Sequence, residues 1–379
     1  MQIAAVERGE RSLAVTWSDQ SVTEFPFIWL RDNARENFHP ETQERTFDLT
    51  TVSAGIEPDS VVSDGASLHI RWPQRGDKCV YDGSWLYAHR PGRCRDDPAR
   101  TGRLAWNADS MPAIPRADAK ACSESATELV NALLELKRHG LLIVDRLADD
   151  AEAGVDFGRL IGFMRETNFG VIFDVVNKAV PNNLAYTALD LPLHTDLPNQ
   201  EAIPGFQFLH CYRSNVDGGD SVFADGLKLC DDVQREAPDD FEILSRTAIP
   251  WRFHDATADI RQHRPIINLD RNGGFEAFVF NAHIADLPDM PSGDLHAFYP
   301  VYQRLMIRMR DPRYAIRYSL SPGEMVAFDN RRVLHGRTAF DATSGDRHLR
   351  GYYIEQNEID SRIRVLSRSN TRRETTQCP

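Results

Sequence analysis

Over the first hundred residues, apolar and polar positions alternate in short runs. Ser12-Leu13-Ala14-Val15-Thr16-Trp17 and Ser21-Val22-Thr23-Glu24-Phe25 flank Ser18-Asp19-Gln20 and predict a hairpin, and Ser67-Leu68-His69-Ile70-Arg71-Trp72 predicts a half-buried strand. Ile28-Trp29-Leu30-Arg31-Asp32-Asn33 lies between these runs, and Trp85-Leu86 ends the β-rich pattern. From Pro91 to Pro115 the chain is polar, aperiodic and punctuated by Pro and Gly, as a linker is. The period then changes. Serines at 123 and 125 precede a helical pattern over residues 128–136, His139-Gly140 stops it, and Leu141-Leu142-Ile143-Val144 is a short buried strand. Residues 150–164 predict a second amphipathic helix, and Asp294 to Arg310 a long one. Beyond Thr167 short strands dominate: Phe206–Cys211, Ser221–Ala224, Ile266–Leu269, Phe275–Phe280, Ala315–Leu320, Glu324–Phe328 and Gly351–Ile354. Many short strands with helical insertions predict a mainly β fold, a double-sheet jelly roll whose mouth forms a pocket.

The pattern divides the chain into a small β-rich N-terminal domain (1–95), a linker (96–120), a jelly-roll domain (121–368) and a polar tail (369–379). The net charge of −12 argues against a nucleic-acid partner, since phosphate binding needs a basic surface and none is concentrated here. No apolar run reaches the roughly 18 residues of a membrane span. The start, Met1-Gln2-Ile3-Ala4-Ala5-Val6-Glu7-Arg8, does not read as a secretory signal, and six scattered cysteines form no Cys-x-x-Cys pair. A reduced, cytoplasmic chain is expected.

Candidate chemistry centres on Leu191-Pro192-Leu193-His194-Thr195-Asp196. In an extended segment His194 and Asp196 leave the same face, so imidazole and carboxylate can take two positions on one metal ion. Val333-Leu334-His335-Gly336-Arg337 offers the third ligand after an apolar, strand-like run. Two His and one carboxylate that leave the remaining positions open are diagnostic of non-haem Fe(II) oxygenases. A dicarboxylic keto-acid cosubstrate needs an arginine and a hydroxyl for its distal carboxylate. Arg347 and Ser221 are the candidates, and strand parity puts the rival Arg350 on the opposite face.

These residues resemble the Fe(II)/2-oxoglutarate dioxygenases of the taurine-dioxygenase-like group, especially γ-butyrobetaine hydroxylase, trimethyllysine hydroxylase and their trimethylaminoethylphosphonate-hydroxylating relatives. Phe27-Ile28-Trp29-Leu30-Arg31-Asp32-Asn33 resembles the signature of the small N-terminal domain. The catalytic-domain landmarks are Asn182–Thr187, His194-Thr195-Asp196, Leu209-His210-Cys211, Gly218–Ser221, Phe328-Asp329-Asn330 and Leu334–Arg337. The resemblance implies Fe(II) on His194, Asp196 and His335, with 2-oxoglutarate held by Arg347, Ser221 and Leu209. It also implies O2 as the other cosubstrate, and a hydroxylation that releases succinate and CO2. For the substrate it implies an aromatic cage of Phe169, Phe173, Tyr186 and Tyr353 around a trimethylammonium group. Asn183 and Asn281 would lie at the anionic end, and a homodimer is expected.

Departures from the family pattern are as informative. A second amide is usual after Phe-Asn, but Ala282 stands there, and Ala285 replaces an arginine. These losses open volume and favour a tetrahedral phosphonate over a planar carboxylate, so 2-(trimethylamino)ethylphosphonate is the lead substrate and γ-butyrobetaine the alternative. Ala34–His39 lacks the three cysteines that follow the signature in many relatives, and Asp77 stands at the fourth ligand position, so no structural zinc is expected. Cys79, His89 and Cys94 fit no tight zinc spacing. A non-catalytic cupin-like binding protein is the competing class, and the intact ligand set argues against it. A metallohydrolase lacks its His-Glu-x-x-His helix.

Overall fold

A computed structural model describes residues 1–73, 78–177 and 187–376, with side chains to residue 368. Contacts divide the chain into Met1–Asp97 and Pro98–Pro379. In the first unit β1 (Ile3–Arg8), β2 (Ser12–Trp17) and β3 (Val22–Pro26) form one antiparallel sheet. A second sheet contains β4 (Ser60–Ser63), β5 (Ser67–Arg71) and β6 (Lys78–Asp82). Alternation sends Leu13, Val15 and Trp17 of β2 and Leu68 and Ile70 of β5 into a shared core. The signature residues do not extend the β pattern. They form a short helix, α1 (Phe27–Asp32), which buries Phe27, Leu30 and Arg31 at helical spacing. Trp85-Leu86 likewise belongs to α2 (Gly83–Ala88), whose first turn is capped by Asp82 accepting from the Trp85 amide.

The second unit continues through β7 (Arg116–Asp118), α3 (Ala119–Glu124), α4 (Ala126–His139), β8 (Leu141–Asp145), α5 (Ala153–Ile161), β9 (Met164–Arg165) and β10 (Ile172–Val176). Next come β11 (Leu191–His194), β12 (Phe206–Ser214), β13 (Ser221–Asp225), α6 (Gly226–Glu236), α7 (Pro238–Arg246), β14 (Ile249–His254), β15 (Asp259–Arg264), β16 (Ile267–Leu269) and β17 (Phe275–Phe278). The chain finishes with α8 (Ser292–Met309), β18 (Ala315–Tyr318), β19 (Met325–Asp329), β20 (Val333–Arg337), β21 (Arg347–Ile354) and α9 (Gln356–Thr376). The larger sheet has the order β10-β21-β12-β19-β8-β7, and the smaller β11-β20-β13-β18. Leu209, Val326, Phe328 and Leu349 of the larger sheet share a core with Phe223 and Val333 of the smaller. Their neighbours Phe206, Phe208, Ala327 and Tyr352 face outward and pack with Leu133, Leu136, Phe157 and Ile359 of α4, α5 and α9. This is a jelly roll with helical insertions.

Local sequence accounts for the boundaries. Ser125 accepts from the Glu128 amide at the start of α4, and Gly140 ends that helix at φ 71°, a left-handed conformation that suits glycine. The stretch read as a linker is folded onto the second unit. Trp106 is buried, its amide donates to Asp225 Oδ2 at 2.9 Å and its indole donates to the His139 carbonyl at 2.6 Å. Asp225 also takes a bidentate pair from Arg332, with both bonds at 2.8 Å and both side chains at most 1% exposed. The polar tail continues α9 as helical backbone to Thr376. The pattern reading also passed over α6, α7 and the β14–β15 hairpin. Among the described residues no helix is long and apolar enough to cross a membrane.

Candidate metal centre and substrate cavity

The smaller sheet brings the three ligands together. In the antiparallel register of β11 and β20, His194 lies opposite His335, and their rings are 4.2 Å apart between centroids. Asp196 follows in the turn leaving β11. His194 Nε2 is 3.4 Å from Asp196 Oδ1, and His335 Nε2 is 3.8 Å from Asp196 Oδ2. Among the described residues these three form the cluster of metal-capable groups, with donor atoms within 4.8 Å of one another. Metal–ligand bonds of about 2.1 Å place adjacent donors roughly 3 Å apart, so small side-chain adjustments close this set on a cation.

His194 and Asp196 are braced from behind. His194 Nδ1 lies 2.9 Å from the Pro192 carbonyl, a contact that selects the tautomer with Nε2 free to ligate. Asn330 accepts from the Asp196 amide at 2.7 Å and donates to the Asp196 carbonyl at 3.0 Å, which fixes the turn. The Tyr353 hydroxyl donates to Asp196 Oδ2 at 2.7 Å. Leu197, next in the chain, is buried at φ 56°, a strained conformation for a bulky side chain. Gly336 separates His335 from Arg337 where a side-chain carbon would stand 2.5 Å from the Leu191 carbonyl, so β11 can approach only a glycine here.

Electrostatics suit the same role. Burial and the neighbouring His194 push the His335 imidazole down to about 3, which keeps it a neutral donor over the ordinary pH range. Burial alone would raise the Asp196 carboxyl, but His335, His194 and the Tyr353 hydroxyl together hold it well below the usual carboxylate range.

The cluster opens into a cavity of about 460 Å³. Arg347, Ser221 and Leu209 all line it. Arg347 donates to the Gly219 carbonyl at 3.4 Å, lies over the Phe340 ring at 5.7 Å and forms no ion pair among the described residues. Burial pushes its guanidinium down, so an anion entering beside it relieves a desolvated charge. Arg350, three residues along, faces away and pairs with Glu152 at 2.5 Å and Asp174 at 3.4 Å. Phe169, Phe173 and Tyr353 line another part of the cavity, with Phe173 and Tyr353 at 5.3 Å between centroids and Phe169 at 5.3 Å from Phe253. Asn183 and Tyr186 lie outside the described residues.

Asn281 is at the cavity wall, but its amide is engaged elsewhere. Nδ2 donates to the Thr195 carbonyl at 3.3 Å and Oδ1 accepts from the His283 amide at 3.1 Å. These two bonds orient the amide and use one of its two N–H groups. Several lining residues escaped the sequence reading: Asn199, Gln207, Arg252, Phe253, His254 and His283. Gln207 alone had a legible signal, a lone amide between Phe206 and Phe208 at an inward-facing strand position.

Comparison with known proteins agrees with this geometry. The family described as taurine catabolism dioxygenase TauD, TfdA matches residues 105–353, and the family described as gamma-butyrobetaine hydroxylase-like, N-terminal, matches residues 4–87. The chain is 35% identical over 362 residues to gamma-butyrobetaine dioxygenase of Pseudomonas sp. (strain AK-1), covering 94% of each. It is 28% identical over 385 residues to gamma-butyrobetaine dioxygenase of Homo sapiens, covering 97% of each. Identity to the mitochondrial trimethyllysine dioxygenase of Homo sapiens is 26% over 363 residues, covering 91% of this chain and 83% of that protein. With the His–Asp–His set at the mouth of its jelly roll, the chain belongs to the TauD/TfdA family of dioxygenases, which work with Fe(II), 2-oxoglutarate and O2.

Proposed function

We propose that this dioxygenase hydroxylates a small trimethylammonium zwitterion, with 2-(trimethylamino)ethylphosphonate, attacked at the carbon bearing phosphorus, as the lead substrate. The observation that carries the reading is one cavity lined both by the His–Asp–His set and by Phe169, Phe173 and Tyr353. A quaternary ammonium has no N–H to donate, so aromatic faces are the groups that recognise it. The gamma-butyrobetaine and trimethyllysine dioxygenases among the relatives support this substrate class.

His194, Asp196 and His335 would hold Fe(II). Bound there with 2-oxoglutarate and O2, the metal supplies oxidative decarboxylation of the keto acid coupled to hydroxylation of a C–H bond. The chain's own residues position the reactants. Arg347 and Ser221 take the distal carboxylate of 2-oxoglutarate, and Leu209 packs beside it. The rings hold the cation so that the carbon two bonds from nitrogen lies near the metal site. That carbon bears hydrogen in both candidate substrates. The anionic end therefore decides between them, and the small Ala282 and Ala285, where the family pattern has an amide and an arginine, favour the bulkier tetrahedral group. The 35% identity to a gamma-butyrobetaine dioxygenase keeps γ-butyrobetaine as the second reading. Family analogy further suggests a homodimer, and the cysteine usage a cytoplasmic location.

A substrate panel under O2 with Fe(II) and 2-oxoglutarate tests the reading by following hydroxylated product rather than succinate alone. Preferential hydroxylation of the phosphonate is expected. Far more efficient hydroxylation of γ-butyrobetaine would replace the lead substrate. No hydroxylation of any trimethylammonium compound would overturn the class.

A further inference from the structure

Resting on the trimethylammonium reading above, we propose that His283 is the specificity-determining donor for the anionic end of the substrate. The segment that carries it is held at both ends. On one side Phe280 and Thr195 exchange backbone and hydroxyl bonds, with the Thr195 amide donating to the Phe280 carbonyl at 2.7 Å and the Phe280 amide to Thr195 Oγ1 at 3.0 Å. On the other, the Arg252 amide donates to the Ile284 carbonyl at 2.8 Å and the Asp286 amide to the Pro250 carbonyl at 2.9 Å. The turn between is closed by Asn281, whose amide is engaged at both ends. Among the described residues, the polar side chain that this turn brings to the cavity without a hydrogen bond of its own is that of His283. Its ring stands edge-on to His194 at 6.2 Å between centroids, and no hydrogen bond engages the imidazole among the described residues.

The neighbours of His283 along the chain and across the hairpin are poorer candidates. Arg252 is committed to Asp259 through two bonds of 2.8 and 2.9 Å, and Ala282 and Ala285 have no donor. A cation seated on the rings leaves its anionic partner to be met elsewhere, and Arg347 is taken by the keto acid. An oxyanion bonded to His283 lies beside the metal ligand, so the intervening carbon of a short zwitterion is held at the metal site. The role needs only an imidazole N–H, which is present in both protonation states.

Equilibrium calorimetry without O2, on protein loaded with Fe(II) and 2-oxoglutarate, provides the test. The probes are 2-(trimethylamino)ethylphosphonate, γ-butyrobetaine and tetramethylammonium, which has no anionic end. His283→Ala should weaken the zwitterion that the wild type prefers at least tenfold, and tetramethylammonium less than twofold. His283→Gln, which keeps an N–H donor, should recover part of the loss. Zwitterion affinity within twofold of wild type in His283→Ala overturns the proposal alone, as does an equal loss in the Ala and Gln variants. So does a loss confined to His254→Ala, the other imidazole lining the cavity. If the wild type binds none of the three probes, the substrate reading falls and this proposal with it.

Discussion

Tyr353→Phe removes one atom from the site and leaves an aromatic ring in place. The hydroxyl donates to Asp196 Oδ2 at 2.7 Å, whereas the ring contact with Phe173 at 5.3 Å involves carbon faces that phenylalanine keeps. A hydrogen bond to a charged group contributes about 1.5–3 kcal/mol. At roughly 1.4 kcal/mol per factor of ten, its loss corresponds to Fe(II) held about 10- to 100-fold more weakly, the range typical for losing an outer partner of a metal ligand. The carboxylate also turns more freely and spends less time aimed at the shared centre. Anaerobic titration with Fe(II) in the presence of 2-oxoglutarate, followed by the visible charge-transfer absorption, reads this affinity directly. Thermal unfolding of the metal-free protein separates it from general damage. Fe(II) affinity within twofold of wild type would refute the assignment and return Tyr353 to a purely aromatic role.

Four further outcomes are expected. Gly336→Ala drives a methyl to 2.5 Å from the Leu191 carbonyl, so it should cost about 1–3 kcal/mol in urea unfolding and also weaken Fe(II) binding; unchanged values in both would show that β11 yields freely. Asp225→Ala leaves the Arg332 guanidinium buried without its partner and should destabilise the fold by about 3–5 kcal/mol, visible as a lowered thermal midpoint. Burial, with the charges of Arg350 and His348, depresses the His210 imidazole, so the unfolded chain takes up its proton first as pH falls below about 6.5. Stability then drops with falling pH by up to about 1.4 kcal/mol per unit until the folded histidine titrates, and His210→Leu should flatten that slope in urea unfolding between pH 7 and 5. Arg347→Ala should raise the 2-oxoglutarate requirement at least tenfold by about the strength of one charged hydrogen bond, and Arg350→Ala should leave it within twofold.

Where residues obey one period over enough length, the fold is readable from sequence. The strand at 12–17 alternates cleanly, those at 206–211 and 351–354 are short runs buried throughout, and the helix after Ser125 carries both its cap and its stop. Short elements broke the rule for physical reasons. Six residues of α1 give too few turns for a helical period to stand out, and Trp29 among apolar neighbours reads equally well as strand. The stretch after Pro98 looked like a linker because its buried apolar residues Ala99, Trp106, Met111 and Ile114 follow no period, and its hydrogen bonds reach far along the chain: the Trp106 amide donates to Asp225, and Arg332 donates to the Leu104 carbonyl. Such partners are more than a hundred residues away from Trp106 or Leu104 and leave no local pattern. Pro250 and the charged residues of β15 similarly masked a hairpin whose pairing is held by backbone and by Arg252 with Asp259.

The site divides along the same line. His194, Asp196 and His335 needed only a two-residue spacing and a strand, because facing strands of one sheet supply everything else. Arg347 was separable from Arg350 by parity alone, and parity put one in the cavity and the other against Glu152. The wall opposite the sheets is built differently. His254, Asn281 and His283 come from a hairpin and a turn, where orientation depends on which amide caps which carbonyl rather than on any repeat. Asn281 shows the consequence: it lines the cavity, but the Thr195 carbonyl and the His283 amide set the direction in which its side chain points. The chemistry is thus carried by regular strands, which tolerate little variation in register. Selection among substrates is left to turn geometry, which can change with one or two substitutions while the metal ligands stay fixed.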